Sequence, residues 1–148
     1  MLSILFSTIV FLSLNAYTND KLLVLNLELA QKIANKAAVC GNKNNWKLSV
    51  AIVNSEGNLL YFQRADESYV GSIDAAIDKA KSANAFQRPT KSFAEGLKEG
   101  RTGLLTVKNI IGIEGGIPII LGGKHAGAIG VSGAKATEDE SCAKTALD

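Results

Sequence analysis

Few side chains in this 148-residue sequence can do chemistry, and their numbers narrow it at once. There is one histidine, His125, one methionine, at the start, and two cysteines, Cys40 and Cys142. Structural zinc sites gather about four nitrogen or sulfur ligands. Neither a multi-histidine nor a four-cysteine site can therefore form within one chain, and no metal site of that kind is expected. One imidazole is still enough for a cofactor held through a single protein ligand. Tyr61 and Tyr69 add oxygen donors. Lys79, in Asp74-Ala75-Ala76-Ile77-Asp78-Lys79-Ala80, reads either as a partner for a ligand carboxylate or as one more charge on a solvated helix face. Glu138, Asp139 and Glu140 have the oxygens that hard cations use. They also fall in the first turn of an expected helix, where acids complement the dipole, and that reading is preferred.

The glycine-rich segment was tested against three nucleotide and hydrolase motifs. Eight of the fourteen glycines lie between Gly112 and Gly133, so a backbone-lined site belongs there if anywhere. Gly123-Lys124 is followed by His125 and position 118 is proline, so there is no phosphate-binding Walker loop. His125 also breaks a G-x-G-x-x-G run ending at Gly130. Gly130-Val131-Ser132-Gly133-Ala134 misses the nucleophile elbow G-x-S-x-G at its last position. The glycines are left with tight turns and close backbone approach.

The elements that position these residues follow from periodicity. Asn26 caps a helix with Leu27, Ala30, Ile33, Ala34, Ala37 and Cys40 on one face, closed at Gly41. Lys47 to Val53 alternates as a strand, Asn54-Ser55-Glu56-Gly57 turns, and Asn58 to Arg64 returns. Ser72 caps a second helix striped by Ile73, Ala76, Ile77, Ala80 and Ala83, which Pro89 stops. Thr90 to Gly100 is a short helix or a loop. Ile110 to Ile113, Ile117 to Leu121 and His125 to Val131 read as three strands. Thr137-x-x-Glu140 is a capping box for the last helix. Trp46 and Phe86 read as core. A pair and a triplet of strands with tight turns predict one antiparallel sheet in an α+β domain.

Composition sets the outer bounds. Hydrophobic residues are 47% and charged residues 20%, which is globular. A net charge of +2 argues against a nucleic-acid partner. Residues 1–16 carry no charge and are too few for the roughly 20 apolar residues of a stable membrane span. With the polar Tyr17-Thr18-Asn19-Asp20 after Ala16, they are expected to be a signal peptide, leaving residues 17–148 as a single exported domain.

Three stretches then carry a resemblance: VAIVNSEGNLLYFQRAD (50–66), SIDAAIDKAKSANAFQRPT (72–90) and EGGIPIILGGKHAGAIGVSGAKATEDESCAKTAL (114–147). The combination G-G-x-P, G-G and G-A-I-G-V-S-G, followed by acids, resembles the GlcG/HbpS-like haem-binding family. Its relatives include the C-terminal domain of a corrinoid adenosyltransferase. The resemblance implies a profilin-like α+β fold. Its five-stranded antiparallel sheet packs with N- and C-terminal helices and a central helix. It also implies homo-oligomers, here expected as a dimer or a multiple of one. The function implied is that of an exported binding protein for haem or a related tetrapyrrole. The alternative is an enzyme acting on a small organic acid at a subunit-interface pocket, through Lys79, Arg88 or Thr90. On the haem reading His125 is the candidate axial ligand and Tyr61 an oxygen ligand. Gly115, Gly116 and Pro118 match the G-G-x-P turn that would bring backbone amides to a ligand or partner. In the adenosyltransferase relatives the haem histidine lies in the first helix, and residues 26–40 here contain none. In such a fold the first and last helices lie side by side. A Cys40–Cys142 bond and two separately buried thiols both fit that arrangement.

Overall fold

Asn26 begins the first helix as the sequence requires: its side-chain oxygen accepts the Leu29 N–H at 2.9 Å. A computed structural model describes residues 24–148, so the apolar leader expected at 1–16 lies outside the described residues. The elements in chain order are α1 (Leu27–Lys43), β1 (Ser49–Asn54), β2 (Leu59–Arg64), α2 (Gly71–Phe86), α3 (Lys91–Lys98), a 3-10 turn (Thr102–Thr106), β3 (Gly116–Leu121), β4 (Lys124–Ser132) and α4 (Ala136–Leu147). The strands form one antiparallel sheet in the order β2-β1-β4-β3.

The sheet has four strands among the described residues, not the five expected. Ile110 to Ile113 does not join it. The Ile111 N–H donates to the Ser82 hydroxyl at 3.1 Å, and Gly112 is pressed against the Leu97 side chain, so this apolar run packs as a loop over α2 and α3. Three caps also differ. Gly41 lies inside α1 against Leu48, and the helix runs on to Lys43. Ser72 does not cap α2. It is buried in the first turn, hydrogen-bonded to the hydroxyls of Ser49 and Ser68, each at 2.7 Å. The last helix starts one residue before Thr137, with the Lys135 N–H donating to the Glu138 carboxylate at 3.0 Å.

Alternation along the strands divides the interior in two. Val50 and Ile52 of β1, with Ile129 and Val131 of β4, face α1 and α4 in the larger core. Ala51, Val53 and Ala128 face the other way, onto Ala76, Ala80 and Ala83 of α2. Gly130 lets α2 approach closely: a Cβ there would strike the Ala76 carbonyl oxygen and the backbone of Ala80. The β3–β4 hairpin closes through Gly122 (φ 55) and Gly123 (φ 75), the two left-handed positions that a two-residue turn matched to strand twist requires.

The two cysteines meet. Cys40 of α1 and Cys142 of α4 are disulfide-bonded, with Cα atoms 5.5 Å apart. The bridge joins the two helices that cover the larger core.

Candidate functional site

The G-G-x-P segment is a fastening. Gly115, at φ +120, makes the bend, while Gly116 already begins β3 and Pro118 sits inside that edge strand opposite Ala128. A Cβ at position 115 would lie 2.6 Å from the Val131 carbonyl oxygen and 3.0 Å from Lys79 Nζ, so the bend is filled by protein. Thr90 holds it from the other side: its N–H donates to the Gly116 carbonyl at 2.9 Å, and its Oγ1 accepts the Gly116 N–H at 3.0 Å.

Lys79 lies at the centre of this knot, buried to 2% exposure, and not on a solvated helix face. Its ammonium donates to the Asp139 carboxylate at 2.8 Å and to the Val131 carbonyl at 2.9 Å. Asp139 also accepts the Ala134 N–H at 2.9 Å. Burial pushes the Asp139 carboxyl above its ordinary value, against the opposing pull of Lys79 and the Ala134 N–H. Glu140 beside it is buried too. Lys144 stands 2.8 Å from Glu140 Oε1, out of hydrogen-bond alignment, and that carboxylate holds the Lys144 ammonium above its ordinary pKa. The knot ties α2, on one face of the sheet, to α4 on the other. The pair is committed to this fastening, with both Asp139 oxygens and two of the three Lys79 N–H groups engaged.

The remaining sequence candidates are dispersed. His125 is half-buried at the start of β4; its Nε2 is 2.8 Å from Asn84 Oδ1, on the α2 side. Asn84 also donates from Nδ2 to the Ser55 carbonyl at 3.1 Å. That bond turns the amide oxygen toward His125 Nε2, and His125 Nδ1 is buried with no partner among the described residues. Tyr61, on edge strand β2, packs on the opposite, larger core. Arg88 is exposed, its guanidinium 5.6 Å from the centre of the Phe93 ring. Lys79, Arg88, Thr90, Tyr61 and His125 therefore share no hollow described here.

A hollow of about 610 Å³ with mostly apolar walls opens elsewhere, on the outer side of α1 beside α4. It is lined by Lys32, Asn35, Lys36, Val39, Cys40 and Lys43, with Thr145 from α4. Lys32, Lys36, Val39 and Lys43 follow one another at helical spacing, so one stripe of α1 makes most of the wall. Val39 is 50% exposed, and the lysine stems extend the apolar surface beside it. Lys32 is paired with Glu28 at 2.7 Å. Among the described residues no carboxylate lies within ion-pair distance of Lys36 or Lys43. Other hollows are polar-walled, such as that between Trp46, Lys47, Gln63 and Arg64 and that beside Glu56, Lys81 and Asn84.

Residues 25–148, from the first buried leucine to the end of α4, match the family described as haem-degrading protein HbpS-like. The chain belongs to the HbpS-like family. Protein GlcG of Escherichia coli K12 is 32% identical over 109 residues, which is 74% of this chain and 81% of GlcG. The crystal structure of a Streptomyces reticuli HbpS double mutant superposes with a TM-score of 0.77 at 33% identity, covering 84% of this chain and 85% of that one. A PduOC–haem complex shares the fold, with a TM-score of 0.76 at 21% identity over 84% of this chain and 94% of that one.

In this HbpS-like chain, sequence reasoning missed three things. The lysine-and-valine stripe of α1 was readable, because Lys32, Lys36, Val39 and Lys43 recur at i, i+4, i+7 and i+11 on the face opposite the apolar one. The partner of Lys79 was not, since Asp139 lies sixty residues downstream. Nor was Asn84 as the partner of His125, because nothing local links a helix end to a strand start.

Proposed function

We propose that this chain is an exported, oligomeric binding protein for haem or a related tetrapyrrole. The observation that carries the reading is the match of residues 25–148 to the haem-degrading HbpS-like family. The family description and the haem complex of a fold relative support the ligand class. The enzyme alternative drew on Lys79, Arg88 and Thr90, of which two are buried in the Gly115–Gly116 knot and one is exposed on Phe93.

Export is supported by the Cys40–Cys142 bridge, since disulfides persist in oxidising compartments. Assembly is supported by two uncovered sheet edges, where Leu59 on β2 is 47% exposed and Ile120 on β3 is 56% exposed. Titration of purified protein with hemin tests the function: a saturable Soret shift at one equivalent per chain is expected, and no saturable shift would overturn it. Sedimentation equilibrium should show a dimer or a multiple of one. Intact mass of protein recovered from its native host should show a start near Tyr17.

A further inference from the structure

The polar-walled hollow at Trp46 and Gln63 has a volume of about 320 Å³ and lies where α1, the α1–β1 connection and the end of β2 meet. That is the small end of the range for ligand sites, about 300–1,000 Å³. Gln63 enters it from β2. It pairs with Val50 across the sheet, and paired residues share a face, so its side chain goes to the α1 side, where Val50 packs. There its Oε1 is buried with no hydrogen-bond partner among the described residues. Such an acceptor costs free energy until a donor reaches it. The last torsion of a glutamine is broad, so a small turn of the amide can offer that oxygen to a ligand in the hollow.

The charges around Gln63 are unevenly committed. Lys47 stands 3.6 Å from Glu67, and the Arg64 guanidinium donates to the Ser68 carbonyl. Asp66 also lines the hollow, is exposed, and has no cation within ion-pair distance among the described residues. Trp46 is half-buried; it packs on the larger core and lines the hollow as well. Trp46 and Asp66 are each next in sequence to a left-handed residue, Asn45 (φ 59) and Glu67 (φ 66). Non-glycine residues held in that conformation cluster at ligand sites.

We infer that this hollow binds a small primary ammonium compound with an apolar body. An unpaired carboxylate, an unsatisfied carbonyl oxygen and an indole face are groups that attract an ammonium. Asp66 supplies the counter-charge, Gln63 the neutral acceptor and Trp46 the face against which the apolar body lies. An anion would meet Asp66 and find the neighbouring lysine and arginine already engaged. The site involves no tetrapyrrole, so it stands or falls separately from the function proposed above.

Trp46 is the one tryptophan of the sequence, so the intrinsic tryptophan fluorescence of the full-length protein reports on this hollow. The probes are 2-phenylethylamine, 2-phenylethanol and 3-phenylpropanoate, similar bodies with a cationic, a neutral and an anionic head. The amine should give a saturable fluorescence change, with the alcohol and the carboxylate at least about tenfold weaker. Asp66→Asn should weaken the amine about five- to tenfold, the range of one charge-assisted contact, and leave the alcohol unchanged. Gln63→Leu should also weaken the amine, while its urea midpoint stays at or above that of the parent, because an orphaned acceptor has been removed. A lowered midpoint with unchanged amine binding would show Gln63 serving packing alone and overturn its part in the site. Equal binding of the three probes, or a preference for the carboxylate, would overturn the ammonium assignment. Amine binding unchanged in Asp66→Asn would place the ligand elsewhere, and no saturable change with the amine would overturn the inference as a whole.

Discussion

The two faces of the sheet are held by different means. On the α2 side the contacts are alanines and a glycine, Ala51, Ala76, Ala80, Ala83, Ala128 and Gly130, and the helix backbone comes down almost onto the strands. On the α1–α4 side Val50, Ile52, Ile119, Ile129 and Val131 fill a thicker layer, and a disulfide joins the two helices above it. Small side chains bury little area, so the α2 face gains less from apolar burial, at ~25 cal/mol per Å². It is instead located by backbone contact and by the Lys79–Asp139 pair. The α1–α4 face has its position fixed by volume and a covalent bond. The hollow lined by Lys36, Val39 and Lys43 lies on its outer surface. The tightly fitted side is anchored by close contact and an ion pair, the bulky side by volume and a disulfide.

The largest expected effect breaks the anchor. Lys79→Met leaves the Asp139 carboxylate buried without its cation, and removing one partner of a buried pair costs about 3–5 kcal/mol. Urea unfolding should show the loss. The double variant Lys79→Met with Asp139→Leu should recover most of it, because no uncompensated charge remains. A single variant within about 1 kcal/mol of the parent would mean that the α2 face is not anchored this way.

The other face has its own test. The Cys40–Cys142 bridge closes a loop of 102 residues, and its removal by Cys40→Ser with Cys142→Ser should cost about 2–4 kcal/mol, the usual range for a long loop. The difference should vanish when both proteins are unfolded in reductant. Thiol titration of unfolded, unreduced protein should find no free cysteine. Two titratable thiols would remove the covalent half of the comparison.

Adjacent residues of β4 compare the faces directly. Gly130→Ala adds one methyl against the Ala76 carbonyl and Ala80 backbone, atoms that cannot rotate aside, so overpacking should cost about 1–3 kcal/mol. Ile129→Val removes one methylene from the larger core and should cost about 0.5–1.5 kcal/mol. If the smaller face is the less tolerant, adding a carbon at 130 hurts more than removing one at 129. The reverse order in thermal or urea midpoints would show that the α2 contact can relax.

How much of this was legible depended on whether the cause was local. The α1 cap at Asn26, the Asn54–Gly57 hairpin and strands β3 and β4 rest on near neighbours, and periodicity found them. The buried stripe of α2 was misplaced by part of a turn. Of the expected Ile73, Ala76, Ile77, Ala80 and Ala83, the three alanines are buried, but the isoleucines are only half-buried and Ser72, Lys79, Ser82 and Asn84 complete the buried set. A hydrophobic stripe cannot include a lysine unless its partner is known, and Asp139 comes from another element. The fifth strand failed for a related reason. Ile110 to Ile113 is as apolar as a strand, but its backbone bonds to Ser82, a side chain on a helix. The G-G-x-P segment reads in sequence as a turn offering backbone amides to a ligand or partner, since sequence cannot show that Lys79 and Thr90 fill it. The disulfide was left open because cysteine spacing says nothing of helix separation.

The smallest expected effect is a slope, and it sharpens the account of the anchor. In the folded chain burial raises the Asp139 carboxyl above its ordinary value of 3.8, while Lys79 opposes the shift. The folded state therefore keeps this proton over a range where the unfolded chain has lost it. More protons bound in the folded state means that stability falls as pH rises through that range, from the unfolded value up to the raised one. Above the range the penalty is constant. The exposed Glu28–Lys32 pair works in the other sense, since its hydrogen bond lowers the Glu28 pKa and its support is lost as pH falls. A bare pH profile mixes the two, so the informative quantity is the parent minus Asp139→Asn. That difference should decline with rising pH in the acid range and flatten near neutrality. In Lys79→Met the decline should be steeper and reach higher pH, because burial then acts without the opposing cation. The variant should accordingly be least damaged in acid, where Asp139 is protonated and the missing ammonium matters least. Urea midpoints from about pH 4 to 7 would measure all three. A Lys79→Met defect equal at every pH would show that the lysine stem, and not its charge, holds α2 against the sheet.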